Sequence, residues 1–250
     1  MKARKPHSLI VGGTRGMGRV LAEHLAKKGH RVSVVGRRAP EKKLPRGIRF
    51  WQADLTREKA LRETLVDIVR RGGRLSRLVC LQRFKAARGD AWEGEIATSL
   101  SATRLLIEAL AGEFHPAGDK SVVLVSSAAS DVIAAEQGPG YHVAKAGLNQ
   151  MARYYAVVLG QAGIRVNVVS PGTVLKPENR DFYLGDARLQ ALFKQVVPLG
   201  RMGTAQEIAE VIDFLGSSNA SFITGQTLLV DGGVNLLSTE TLARSLFTQD

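Results

Sequence analysis

The stretch SLIVGGTRGMGRVLAEHLAKKG, Ser8 to Gly29, joins two kinds of periodicity. SLIVGG is a short apolar, β-branched run that reads as a strand. GRVLAEHLAKKG places Val20, Leu21, Leu25 and Ala26 on one helical face, with Gly29 as a natural stop. The glycine-rich turn GGTRGMG lies between them, so the segment is the first half of a βα unit.

The same alternation continues along the chain. RVSVVG, IRFWQ, RLVCLQ, SVVLVSS, IRVNVVSPG and GQTLLVDGG read as the second to seventh strands. Between them, TREKALRETLVDIVRRGG reads as a helix capped by Thr56, and further helical spacing runs from about Trp92 to Phe114 and from Tyr141 to about Gly160. TAQEIAEVIDFLGS opens on Thr204 with Glu207 three residues later, a capping-box pattern. Repeated βα units of this kind predict an α/β fold, a Rossmann-type doubly wound parallel sheet of about seven strands with helices on both faces. No repeat or linker interrupts the pattern, so a single domain over residues 1–250 is expected, with residues 173–203 as a lid over a ligand.

Composition narrows the function classes. The 250 residues are 44% hydrophobic, enough for one substantial core. No run approaches the roughly 20 apolar residues that span a bilayer, and MKARKPHSLIVGG lacks a cleavage-site pattern. A cytoplasmic protein with no membrane partner is expected. The single Cys80 excludes a disulfide framework, and His7, His24, His30, His115 and His142 have no ligand spacing, so no metal is expected. The formal net charge of +12 comes from separate clusters, and aromatic residues are only 6%, which favours solvated surface charge over a nucleic-acid partner.

The glycine string carries chemistry because it ends a strand and opens a helix. There Gly12, Gly16 and Gly18 allow a tight turn, close backbone approach to a pyrophosphate and close helix packing, while the helix N-terminus offers free N–H groups. At the end of the second strand, VVGRR has Gly36, Arg37 and Arg38 where a carboxylate would select NAD. With Arg15 in the glycine turn, these arginines suit a 2'-phosphate, so NADP(H) is the expected cofactor.

Tyr141 and Lys145, in YHVAKAG, stand at i and i+4 on a predicted helix and share a face. An ammonium near a phenol favours its ionised form, which suits proton transfer. Taken alone the pair is also a common surface arrangement. Ser126 and Ser127, at the end of the fifth strand, are placed to supply a hydroxyl for a substrate oxygen.

The ordered set GGTRGMG, VVGRR, ADL, VSS, YHVAK, VSPG, PLGRMGTAQEIAEVIDFL and ITGQTLLVDGG resembles the short-chain dehydrogenase/reductase family, particularly its ketoacyl-reductase-like members, over about Leu9 to Val234. The resemblance implies Tyr141 as general acid in reduction, Lys145 as its partner and nicotinamide-ribose ligand, and Ser127 as the group polarising a carbonyl. The usual serine-to-tyrosine spacing falls on Ala128, so Ser127 implies a slightly longer loop, which SDVIAAEQGPG accommodates. It also implies that Gly12, Thr14, Arg15, Gly16, Met17 and Gly18 line the phosphates, that Asp54 and Leu55 meet adenine, and that Pro171, Gly172 and Val174 flank the nicotinamide. Ser99 aligns with a helix asparagine whose backbone carbonyl holds a proton-relay water. Where the family has Asn-Asn-Ala-Gly, this chain reads Cys80-Leu81-Gln82-Arg83, so Gln82 and Arg83 must point away from the cofactor or reshape the pocket.

Two functions follow as expectations. One is an NADPH-dependent reductase of a small-molecule carbonyl compound, acidic or carrier-bound if Arg83, Lys85 and Arg88 attract it. The other is a non-catalytic NADPH-binding sensor or scaffold of the same fold. The resemblance further implies a homo-oligomer, tetramer or dimer, paired through the long helices and the tail.

Overall fold

The computed structural model describes residues 5–84 and 91–247. Seven parallel strands form one sheet in the order β3-β2-β1-β4-β5-β6-β9. They are β1 (His7–Val11), β2 (Arg31–Gly36), β3 (Ile48–Gln52), β4 (Arg77–Cys80), β5 (Lys120–Val125), β6 (Ile164–Pro171) and β9 (Thr227–Val230). The chain order reverses between β1 and β4, which opens a crevice at the carboxyl ends of the strands.

The strands read as nearly continuous apolar runs because both faces are covered. In β1, Leu9 and Val11 enter the core that α2 (Glu58–Gly72), α4 (Ala102–Leu110) and α5 (Pro139–Gly160) build with Leu61, Leu65, Leu106, Leu110 and Leu148. Ile10 between them enters the opposite core, where α1 (Gly16–Lys27) and α8 (Ala205–Leu215) contribute Leu21, Leu25, Ile208 and Ile212. Each fully buried side chain of this size contributes roughly 1.5–3 kcal/mol.

Register levels the functional edge. Val11 lies opposite Val35 of β2 and Cys80 of β4, Cys80 opposite Leu124 of β5, and Leu124 opposite Val168 of β6. The loops that leave these strands therefore emerge side by side.

Several local expectations change. β4 ends at Cys80, so Leu81 and Gln82 already belong to the loop. Thr56 does not cap α2: its N-cap is Arg57, and the Thr56 hydroxyl and amide bond Asp54 Oδ1 at 2.7 and 3.0 Å instead. The segment from Trp92 to Phe114 is not one α-helix but α3 (Trp92–Glu95), a π-helical turn over Ile96–Ser101, α4, and a 3-10 turn at Ala111–Glu113. The capping box of α8 is formed, with Glu207 N donating to Thr204 Oγ1 at 3.2 Å and Thr204 N to Glu207 Oε2 at 2.8 Å. Gly29, one residue past the C-cap of α1, has φ +87°.

Residues 173–203 hold two short helices, α6 (Arg180–Leu184) and α7 (Ala187–Val196). A pair of two-residue parallel strands, β7 (Val174–Leu175) and β8 (Gly203–Thr204), clasps the two ends of this segment. The tail carries α9 (Thr239–Phe247). No helix among the described residues is long and apolar enough to cross a membrane.

Candidate active site

At Gly12 and Gly18 the backbone packs too closely for any side chain. A Cβ on Gly12, whose φ is +87°, would lie 2.8 Å from Gln82 N, and one on Gly18 would lie 2.2 Å from the Gly12 carbonyl oxygen. α1 begins at Gly16 with Arg15 as an N-cap that makes no side-chain bond, and no acidic residue stands in the first turn. Its leading N–H groups and positive dipole end are thus left to an anion. The segment after β7 already brings one near, since a Cβ on Gly16 would lie 3.1 Å from Glu178 Oε1. This cradle fits the pyrophosphate of a dinucleotide.

Next to it, Gly36 at the end of β2 leaves room only for the Thr14 side chain, whose methyl carbon would be 2.9 Å from an added Cβ. Arg15, Arg37 and Arg38 are exposed around this point. Asp54 and Leu55 follow β3. The Thr56 hydroxyl and amide hold the Asp54 carboxyl below its usual range, and Arg37 adds to that.

The reactive end gathers four elements. Tyr141 and Lys145 share one face of α5, with Lys145 Nζ 5.6 Å from the centre of the Tyr141 ring. Lys145 is buried and donates to the Val125 carbonyl at 3.0 Å. Burial pushes the Lys145 ammonium down to about 8, with Arg83 and Lys176 also lowering it and Glu95 opposing. The two serines after β5 have different tasks. Ser126 is buried and its hydroxyl donates to the Lys145 carbonyl oxygen at 2.8 Å, whereas Ser127 is partly exposed and accepts from Ala129 N at 3.3 Å. Among the described residues no acceptor takes the Ser127 hydroxyl proton. Pro171, Gly172 and Val174 line the neighbouring strand end, where a Cβ on Gly172 would meet Asp231 Cβ at 2.9 Å.

Gln82 points away from the cradle. It is buried, and its Nε2 donates to Thr103 Oγ1 at 2.7 Å, while the Thr103 hydroxyl donates to the Ser99 carbonyl at 2.5 Å. The Ser99 carbonyl is thereby engaged by protein, and the Ser99 hydroxyl donates to Glu95 Oε2 at 3.2 Å. Arg83 reshapes the pocket instead: its guanidinium lies 4.7 Å from the centre of the Tyr141 ring and donates to Gln137 Oε1 at 2.6 Å. Lys85 and Arg88 lie outside the described residues. Cys80 is buried in β4, and burial pushes its thiol up to about 12, so it is inert here.

Sequence reasoning did not single out Glu95, Lys176 or Glu178. Glu95 had a signal: Ser99 and Thr103 follow it at i+4 and i+8 on one helical stripe, and both are buried, where a carboxylate is costly. A separate cavity of about 680 Å³ lies at the other edge of the sheet, lined by Lys5, His30, Arg74, Arg77 and Asp213 among others, and none of the residues above border it. Among the described residues no group of three His, Cys, Asp or Glu side chains is arranged to hold a metal.

A family profile described as "Enoyl-(Acyl carrier protein) reductase" matches residues 11–235. The chain is 31% identical over 246 residues to the 3-oxoacyl-[acyl-carrier-protein] reductase of Salmonella typhimurium, covering 92% of this chain and 97% of that one. Among solved structures, Thermoplasma acidophilum aldohexose dehydrogenase superposes with a TM-score of 0.83 at 23% identity, covering 94% of this chain and 96% of the other. ElxO with NADP bound gives a TM-score of 0.81 at 23% identity, covering 94% and 100%. At that identity the two structures speak for the fold alone. With the profile spanning most of the chain, a glycine cradle at the switch point and Ser127, Tyr141 and Lys145 meeting at the same edge, the protein belongs to the short-chain dehydrogenase/reductase family of nicotinamide-dependent oxidoreductases.

Proposed function

We propose that this protein is an NADPH-dependent carbonyl reductase acting on a ketone of the 3-oxoacyl kind. The observation that carries the reading is the placement of Tyr141 and Lys145 on one face of α5, with Lys145 bonded to the Val125 carbonyl at the strand end that Ser127 closely follows. Arg15, Arg37 and Arg38, around a strand end that lacks a carboxylate, support a 2'-phosphate over a free ribose. When bound, NADPH supplies the hydride. Gly12, Thr14, Gly16, Met17 and Gly18 would hold the pyrophosphate, Asp54 and Leu55 the adenine, and Pro171, Gly172 and Val174 the nicotinamide.

The chain's own residues manage the oxygen. Ser127 donates its hydroxyl proton as a hydrogen bond to the substrate carbonyl oxygen and fixes its position. Tyr141 transfers its phenolic proton to that oxygen, and the O–H bond of the new alcohol replaces the O–H bond of the phenol. The Lys145 ammonium stabilises the negative charge left on Tyr141. Arg83, stacked on the ring, and the half-buried Lys176 add positive charge at the mouth, which favours an acidic or carrier-bound substrate. The α5 face bearing Val143, Tyr154, Val157 and Val158 is exposed in the single chain, and we assign it to pairing between copies.

A panel of ketones assayed for NADPH and NADH consumption tests the reading, with Tyr141→Phe as control. Turnover with NADPH that falls by about 10²–10⁴-fold in the variant, with NADPH binding retained, is the expected result. Full activity in Tyr141→Phe removes the mechanism, and a more than tenfold preference for NADH removes the cofactor assignment. A second reading, a non-catalytic NADPH sensor or scaffold, is favoured by Arg83 covering one face of Tyr141. Its signature is tight NADPH binding without turnover across the panel.

A further inference from the structure

Glu95 is a buried titratable group that the reduction above does not use. α3 and the π-helical turn lie against α5 at two glycines: a Cβ on Gly140 would fall 2.8 Å from Trp92 Cα, and one on Gly147 would fall 2.9 Å from Leu100 Cδ2. These close approaches bracket Lys145 on one element and Glu95 on the other. Glu95 is 4% exposed, accepts from Ser99 Oγ at 3.2 Å and takes a further bond from the Phe84 backbone amide. A carboxylate so enclosed is costly unless an opposite charge faces it.

The titratable groups around Lys145 come from several elements. Arg83 acts from the loop after β4, Lys176 from the segment after β7, Tyr141 from its own helix and Glu95 from α3. Two cations therefore oppose a buried ammonium whose hydrogen bond goes to one backbone carbonyl, that of Val125. Glu95 is the carboxylate acting on it most strongly.

Resting on the reductase reading, we propose that Glu95 is a positioning residue, the fixed buried counter-charge that holds the Lys145 ammonium beside Tyr141 against the repulsion of Arg83 and Lys176. The covalent chemistry is untouched; what Glu95 governs is the pH range over which Lys145 stays cationic. Burial holds that ammonium down at about 8 even with the carboxylate in place, so its removal moves proton loss lower. Burial also raises the Glu95 carboxyl, against the Ser99 hydroxyl, Lys145, Arg83 and the Phe84 amide.

The test follows the Lys145 ε-carbon by NMR in cofactor-free protein labelled on lysine, with Lys145→Met for assignment, across pH 6–11. Glu95→Gln is expected to lower the Lys145 midpoint by about one unit, Glu95→Asp to restore part of it, and Arg83→Gln, which removes an opposing cation, to raise it. The alkaline limb of the kcat profile should move with the midpoint, while KM for the ketone changes less than about threefold. An unshifted midpoint in Glu95→Gln overturns the proposal. If that variant fails to fold, a midpoint in Arg83→Gln that stays put or falls does the same. Failure of the reductase reading shows separately, as wild-type protein without turnover while the midpoints still shift.

Discussion

Replacing Gly18 by alanine tests the cradle on which cofactor binding depends. The new Cβ would lie 2.2 Å from the Gly12 carbonyl oxygen, 2.8 Å from Gly13 Cα and 2.9 Å from Gly12 C, while ordinary contact begins near 3.4 Å. All three neighbours are backbone, so no rotamer relieves the overlap and the turn must move by about 1 Å. Overpacking of this kind costs roughly 1–3 kcal/mol, and at about 2–4 °C per kcal/mol for a chain of this size the Tm should fall by about 2–12 °C. A misplacement of about 1 Å at a positioned group costs on the order of 10²-fold, so the Kd for NADPH, read by nicotinamide fluorescence, should rise about 100-fold. Gly112→Ala is the control, because a Cβ there meets nothing within 4 Å, and it should leave both readings unchanged. A Gly18→Ala protein with a lowered Tm but a Kd within about threefold of wild type would refute the reasoning, since the glycine would then serve packing alone.

Two further perturbations address charge. Arg37→Ala with Arg38→Ala should weaken NADPH by about tenfold or more and leave NADH within about twofold, as loss of a charge-assisted phosphate contact requires; equal losses for both cofactors would deny these arginines the 2'-phosphate. Asp213→Asn removes the carboxylate that takes bonds from Lys28 Nζ at 2.6 Å, Arg77 Nη1 at 2.8 Å and His24 Nε2 at 3.1 Å. Arg77 is buried, so its unpaired guanidinium should cost about 3–5 kcal/mol at pH 7 by urea unfolding. Burial works to raise the Asp213 carboxyl, but its three donors together hold it well below the usual range. Its stabilisation is therefore present above the unfolded carboxylate value of about 3.9 and is lost as pH falls below that. The gap between wild type and variant should narrow between pH 5 and 3, and a constant gap would contradict the assignment.

The centre of the sheet was legible because β1, β4 and β5 have no exposed face. Runs such as Leu9-Ile10-Val11 and Val122-Val123-Leu124 send alternate residues into two different cores, and only apolar residues satisfy both. β7 and β8 were not legible, since two residues carry no periodicity and their pairing depends on partners that lie far along the chain. The π-helical turn escaped notice for another reason: Ile96, Leu100, Ile107 and Leu110 keep a helical apolar spacing through it, and an extra residue in one turn leaves no mark on composition.

In the site, Tyr141 and Lys145 were visible as an i, i+4 pair, yet the pair alone misstates the electrostatics. Read locally, the ammonium is a given that acts on the phenol. In the fold it is itself buried and pushed down to about 8, and Arg83 from the β4 loop and Lys176 from the segment after β7 add to that while Glu95 from α3 opposes it. Arg83, Lys176 and Glu95 stand 62, 31 and 50 positions from Lys145 along the chain, so no short window of sequence contains the balance. The spacing marked where a proton could move. Whether Lys145 is charged at a given pH is decided by groups that only the parallel sheet, by levelling its strand ends, brings to one edge.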